Sequence, residues 1–216
     1  MDHSDLGPAV PRRWGRVGRW LGQLLLRLMG WRMVGKFPNV PKLIVIGAPH
    51  TSNFDALVGL GAMLALNVRL HCMAKDVAFK GPWGPLFRWL GGIPIDRSKA
   101  TGMVEQTVQA FNSRAQLVLV ITPEGTRKAA EKWKSGFYHA AVGAEVPILC
   151  VVVNYERREL LFMPPVLPSG DYARDWPRII GLFRDSAPRR PERLSKPLCD
   201  LQGKAWRPWP GREARS

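Results

Sequence analysis

Three short aliphatic runs constrain this chain more than anything else in it: Leu43–Gly47 (LIVIG), Leu117–Ile121 (LVLVI) and Val146–Val153 (VPILCVVV). Each is short, apolar and rich in β-branched residues, the pattern of a strand buried in the middle of a sheet. Between them lie helical stretches over 55–66, 84–90, 101–112 and 132–143, the last despite Gly136. Shorter strands fit at Arg69–Ala74, at Ile93–Ile95, where Pro94 implies an edge or a bulge, and at Leu160–Met163. Strands alternating with helices predict an α/β fold: one domain over 37–183 with a central, mostly buried sheet flanked by helices.

The two ends differ from this core. Residues 1–11 read as a loose tail, and 12–34 as a helix. At about 100° per residue, Trp14, Val17, Trp20, Leu21, Leu24, Leu25, Leu28 and Trp31 share one face, with Arg12, Arg16, Arg19, Gln23 and Arg27 opposite. A basic amphipathic helix with Trp at its boundary suits a membrane interface; the plainer alternative is a helix packed on the domain with solvated arginines. The stretch 1–36 therefore reads as a tail plus interface helix, and 184–216, with five prolines and many charges, as a basic tail that folds poorly. Of a net charge of +15, each of these ends carries +5, which points to an anionic partner: nucleic acid, a membrane surface or an acidic protein. No run approaches the ~20 apolar residues of a membrane span. The acidic first residues and the lack of an A-x-A site argue against a signal peptide. Three scattered cysteines, none in a CxxC pair, argue against a disulfide framework or a Cys-based zinc site and fit a reducing, cytoplasmic setting.

Four clusters follow strands or turns, where α/β proteins place their chemistry. In PHTSNFD (49–55), Ser52 and Asp55 form an S-x-x-D capping box that starts a helix. Asp55 can then hold one ring nitrogen of His50 and leave the other free as a general base, although a histidine beside a cap is often structural. In GGIPIDR (91–97), Arg97 is either a surface ion-pair partner or a bidentate phosphate clamp. In ITPEGTR (121–127), Glu124 and Arg127 either pair with each other, or Gly125 exposes backbone N–H groups and Arg127 completes an anion site. Lys75, after the second strand, is a further phosphate contact. The fourth cluster, EVPILCVVV (145–153), is a core strand in any reading.

In this order, His-x4-Asp, Gly-Gly-x-Pro-x-x-Arg, Pro-Glu-Gly-Thr-Arg and Val-Pro-Ile resemble the glycerolipid acyltransferase family over about 43–153. The resemblance implies that His50 takes the proton of an acceptor hydroxyl, whose oxygen attacks the thioester of acyl-CoA or acyl carrier protein, and that Asp55 orients His50. It implies that Arg97, Glu124, Gly125, Thr126 and Arg127, with Lys75, form the acceptor site, the arginines holding its phosphate. Val146, Pro147 and Ile148 would shape an acyl pocket. Neither cofactor, metal nor covalent acyl-enzyme is implied. The acceptor would be a lysophospholipid, foremost 1-acyl-sn-glycerol-3-phosphate giving phosphatidic acid in phospholipid biosynthesis. The protein would sit peripherally on an anionic membrane at its cytoplasmic face. Alternatives are another lyso-lipid or hydroxyl acceptor, or a non-catalytic lipid-binding relative. Nucleic acid is disfavoured, because the basic ends lack interleaved aromatics, helix-turn-helix pattern and zinc spacing. A serine hydrolase is disfavoured by the absence of G-x-S-x-G.

Overall fold

Side chains alternate across the central strands and sort the core into two layers. The computed structural model describes residues 6–75, 80–82, 84–89, 91–95 and 102–208. In strand β2 (Lys42–Ala48), Leu43 and Val45 enter one cluster while Ile44, Ile46 and Ala48 enter the other. In β6 (Ile148–Asn154), Ile148, Cys150 and Val152 face one layer and Leu149, Val151 and Val153 the other. This two-sided burial is why both runs are continuously apolar rather than alternating.

The sheet holds seven strands in the order β1-β7-β6-β2-β5-β3-β4, with β1 at Arg32–Gly35, β3 at Leu70–Lys75, β4 at Gly92–Ile95, β5 at Leu117–Ile121 and β7 at Glu159–Phe162. β2 runs parallel to both β5 and β6, and β3 runs parallel to β4 and β5. The last strand, β7, turns back antiparallel on β6 and pairs parallel with β1. The carboxyl ends of β2, β3, β4, β5 and β6 thus share one edge of the sheet. Helices α1 (Gly15–Leu28) and α2 (Phe54–Ala65) pack together, and both contribute to the layer that contains Val45 and Val151. On the opposite face lie α4 (Met103–Asn112), α5 (Gly136–Gly143), α6 (Tyr172–Gly181) and α7 (Lys196–Leu201); α3 (Gly84–Trp89) precedes β4.

The α/β expectation holds, and several boundaries change. The first helix ends at Leu28, not Val34. Gly30 adopts φ +71°, its N–H donates to Arg27 O and the Trp31 N–H donates to Leu26 O, a Schellman stop with Leu26 and Trp31 in the same core cluster. The chain then continues as β1. The 132–143 helix starts only at Gly136, and residues 6–11 are packed rather than loose, with Leu6 and Val10 buried.

The expected basic tail is likewise a packed part of the domain through α7, with Trp206 beyond it lying against the same core. Leu194, Ser195, Leu198 and Cys199 are buried, Ala187 bridges to Asn154, and Pro191 and Pro197 open short helices instead of breaking them. Proline is tolerated in a first helical turn because its missing N–H has no partner there.

The first helix is also rotated away from the middle of its apolar stripe. Gly22 lies against α2, where an added Cβ would stand 2.2 Å from Ala65 N and 2.7 Å from Gly61 O. Gly22 and Leu26 are the buried positions, whereas Val17, Trp20, Leu21 and Leu28 are 46–77% exposed. The expected apolar face is thus split: Val17, Trp20, Leu21 and Leu28 point outward, Leu25 and Trp31 pack inward, and the glycine-bearing flank makes the closest contact with α2.

Gly22→Val is therefore expected to pry α1 from α2 and to cost about 1–3 kcal/mol, read as a fall in Tm. Gly59→Ala, where a Cβ meets nothing within 4 Å, should leave Tm unchanged or raise it. Equal effects of the two would remove the close-packing account.

Candidate active site

His50 leaves the carboxyl end of β2, and Asp55 sits in the first turn of α2. The Asp55 carboxylate organises the loop between them. Its Oδ2 accepts the N–H groups of Thr51 and Ser52 at 2.7 and 2.8 Å and lies 3.3 Å from His50 Nδ1. Its Oδ1 accepts the Ser52 hydroxyl at 2.9 Å and the Tyr155 hydroxyl. The reciprocal half of the predicted capping box is shifted by one residue: Ser52 Oγ accepts from the Phe54 N–H at 3.2 Å. Burial favours a neutral Asp55, but the hydrogen bonds from His50, Tyr155 and Ser52 outweigh it and hold the carboxyl below its ordinary range. Asp55 is therefore an anion that fixes Nδ1 of a partly exposed His50 and leaves its Nε2 uncontacted by Asp55. Tyr155, just after β6, is a member of this constellation that sequence spacing cannot show. Its hydroxyl is raised in pKa by burial and by Asp55, so it remains a donor.

Glu124 lies in the loop after β5, beside the same edge. It is only 4% exposed, and its Oε2 accepts the His50 main-chain N–H at 2.6 Å. It pairs with the backbone of the His50 loop rather than with Arg127. Burial pushes its carboxyl up to about 7, against the pull of the His50 N–H. Gly125 turns the chain with φ +64°, its N–H donating to Thr122 O, and Thr126 Oγ1 accepts from the Lys128 N–H. Arg127 is exposed, and its Nη1 donates to Asn53 Oδ1. Lys75 ends β3 at this edge of the sheet. Arg97 lies outside the described residues.

Two concavities meet at this loop. An apolar cavity of about 390 Å³ runs between α2 and the sheet, with His50 and Asp55 among its lining. Gly47 and Gly59 also line it, and the space above each is open, with nothing within 4 Å of a built Cβ. Val146, Pro147 and Ile148 are not in its lining. Val146 and Ile148 are buried on the other face of the sheet, and Pro147 O accepts from Ile44 N at the far end of β2. The cavity walls are instead Val45, Val120, Val151 and Val153 from the sheet and Leu60 and Met63 from α2. The second concavity, about 440 Å³, is lined by Ser52, Asn53, Phe54, Arg127, Arg189, Arg190 and Arg193.

The model of the family described as Acyltransferase matches residues 34–154. The chain is 31% identical over 155 residues to a 1-acyl-sn-glycerol-3-phosphate acyltransferase of Haemophilus influenzae, covering 67% of this chain and 62% of that protein. It is 30% identical over 173 residues to the human 1-acyl-sn-glycerol-3-phosphate acyltransferase alpha, covering 69% and 58%. It thus spans less than two thirds of the length of these curated relatives. The crystal structure of a 1-acyl-sn-glycerophosphate acyltransferase from Thermotoga maritima superposes with a TM-score of 0.51 at 20% identity, over 72% of this chain and 70% of that one, and shares the fold.

The position of Glu124 makes a stability prediction. A carboxyl at about 7 when folded and about 4.5 when unfolded binds its proton more tightly in the native state. Stability from this group is therefore full below the unfolded value and is lost as pH rises toward 7, by on the order of 3 kcal/mol. Glu124→Gln should remove that slope, so the Tm of the variant gains on wild type between pH 4.5 and 7 and the difference is level above. A constant difference across the window would show that Glu124 is not held protonated.

Proposed function

This chain belongs to the acyltransferase family, and from that premise we propose that it moves a fatty acyl group from the thioester of acyl-CoA or acyl carrier protein to the hydroxyl of a lysophospholipid, 1-acyl-sn-glycerol-3-phosphate foremost, giving phosphatidic acid. The observation that carries the reading is the placement of the His50–Asp55 pair between an apolar cavity and an arginine-lined pocket. Both carboxylic ester chemistry and lipid phosphate recognition have a place there. His50, its Nδ1 held by Asp55, takes the acceptor hydroxyl proton at Nε2. The alkoxide oxygen forms the new C–O bond at the thioester carbonyl, the C–S bond breaks, and the proton on His50 goes to the leaving thiolate. Arg127 holds the acceptor phosphate in a charge-assisted, bidentate geometry that lysine would not reproduce. The apolar cavity takes an acyl chain, and its openness over Gly47 and Gly59 gives the chain room.

A lipid surface completes the proposal. Val17, Trp20, Leu21 and Leu28 on α1 and Leu57 and Leu60 on α2 form an exposed apolar set, and Leu60 is also a wall of the cavity. Arg16, Arg19 and Arg27 flank the stripe on the helix. Apolar side chains with Trp and neighbouring arginines suit the interface of an anionic membrane, from whose leaflet the cavity would be reached beside Leu60. Among the described residues no helix is long and apolar enough to cross a membrane.

With acyl-CoA or acyl carrier protein as donor and lysophosphatidic acid as acceptor, His50→Ala should lower turnover about 10²–10⁴-fold while Tm stays within a few degrees of wild type. Transfer by the wild-type protein that survives this change would dismiss His50 as the base. No transfer by the folded wild type with any lyso-lipid would favour a lipid-binding relative. Separately, Trp20→Ser combined with Leu28→Ser spares the α1–α2 contact and should sharply reduce sedimentation with anionic vesicles. Undiminished sedimentation would dismiss the outward face of α1 as the membrane surface.

A further inference from the structure

The pocket beside His50 carries more positive charge than the PEGTR loop supplies. Four arginines and no acid line it, and three of them, Arg189, Arg190 and Arg193, come from beyond the matched segment 34–154. The backbone that bears them is fixed at both ends. Before it, the Ala187 N–H donates to Val153 O at 3.1 Å and Ala187 O accepts the Tyr155 N–H at 2.9 Å. After it, Leu194 and Ser195 are buried. In between, the Arg190 N–H donates to Thr51 Oγ1 at 3.4 Å and Arg193 Nη1 donates to Thr51 O at 3.3 Å, so the segment is bound to the residue that follows His50. The Arg189 guanidinium stands 4.4 Å from the Phe54 ring centroid, which holds its charge over the pocket. Glu192, just outside the lining, lies 3.7 Å from Arg190 Nη1 and 3.9 Å from Arg193 Nε, and it and Arg190 are more than half exposed, so Arg189 and Arg127 keep their charge for a ligand and Arg190 can exchange a solvated partner for one. A solvated basic face would not gather guanidiniums from two distant segments onto one loop, because like charges brought together repel.

We infer that the 189–193 segment selects the acceptor headgroup: Arg189 and Arg190, together with Arg127, take a terminal phosphomonoester and discriminate against lyso-lipids whose phosphate is esterified a second time. This rests on the acyl-transfer reading above. A phosphomonoester carries about −1.5 to −2 charges near pH 7 and three acceptor oxygens, enough for several guanidinium forks. A diester has one charge fewer, and a zwitterionic headgroup would press its cation against four arginines, so the site gains selectivity by repulsion as well as attraction. The acceptor is favoured over the donor by reach. The pocket is built on Ser52–Phe54, two to four residues past His50, and in a 1-acyl-glycerol 3-phosphate the reacting hydroxyl and the phosphate are on neighbouring carbons. The phosphates of an acyl-pantetheine donor lie at the far end of a long arm from its thioester.

The test uses the full chain with Arg189→Gln and Arg190→Gln combined, and Arg189→Lys as the charge-conserving variant. Calorimetric binding of soluble 1-hexanoyl-sn-glycerol 3-phosphate, without donor, should weaken at least tenfold in the double variant and less in Arg189→Lys. In steady-state transfer the KM for lysophosphatidic acid should rise at least tenfold, with the donor KM moving less than twofold. The kcat/KM preference for lysophosphatidic acid over lysophosphatidylcholine should fall at least tenfold. A rise in donor KM with the acceptor KM unchanged would overturn the assignment in favour of the donor, and no change in either binding or preference would overturn it outright. Arginine-dependent binding in a protein that transfers no acyl group would support the phosphate site and overturn the acyl-transfer reading alone.

Discussion

Strand β2 has no freedom to slip. It lies inside the sheet between β5 and β6, pairs with both in parallel register, and buries alternate side chains in two separate cores. Shifting it by one residue would move every one of those side chains to the wrong layer. Fully burying one aliphatic side chain contributes about 1.5–3 kcal/mol, so the register is strongly determined. Its consequence is the fixed exit of the chain at Pro49 and His50. The neighbours of β2 end at the same edge, which is how Glu124 after β5 and Tyr155 after β6 come to touch the His50–Asp55 loop. The chemistry of the site depends on strand pairing more than on any single contact within it.

The two carboxylates near His50 show how environment divides labour between like groups. Asp55 gathers enough donors to stay ionised despite burial, whereas Glu124 is buried more deeply and is pushed toward its neutral form. Asp55 acts on the ring, and Glu124 acts on the backbone of the same residue. With both anionic, His50 would lie between two buried negative charges; with Glu124 near neutrality, only Asp55 exerts that field strongly. Placing the two groups on the ring and on the main chain also lets the loop be held without Asp55 or Glu124 occupying His50 Nε2.

What the sequence made legible follows from locality. The His50–Asp55 contact spans less than two helical turns and rests on a capping pattern, so spacing alone exposed it. The strands showed because burial on two faces leaves continuous apolar runs. Tyr155 and Arg189–Arg193 were illegible because they reach the loop across about a hundred residues or more, and nothing in a basic, proline-rich stretch marks it as packed. Val146–Ile148 misled for a related reason: their apolarity was read correctly as burial, but the side of the sheet and the end of the strand are set by topology. The first helix misled most instructively. Its apolar stripe was visible, and the usual inference is that such a stripe faces the core. Here glycine at position 22 lets the backbone of α1 approach α2 so closely that the contact forms on the weakly apolar flank, and Val17, Trp20, Leu21 and Leu28 of the stripe are left outside while Leu25 and Trp31 pack inward.

That rotation leaves apolar surface in the open. A helix with Trp20 and Leu28 more than half exposed to water forgoes hydrophobic stabilisation unless something covers them. On the neighbouring helix α2, Leu57 and Leu60 are also exposed, and Leu60 borders the apolar cavity that His50 lines. The arginine pocket is built on the other end of the same loop, at Ser52–Phe54, so an apolar cavity and a cationic one share the loop that begins at His50. The loop that joins the two concavities is the loop that Asp55 and Glu124 hold in place, so the same hydrogen bonds that orient His50 also fix where the two concavities stand relative to each other.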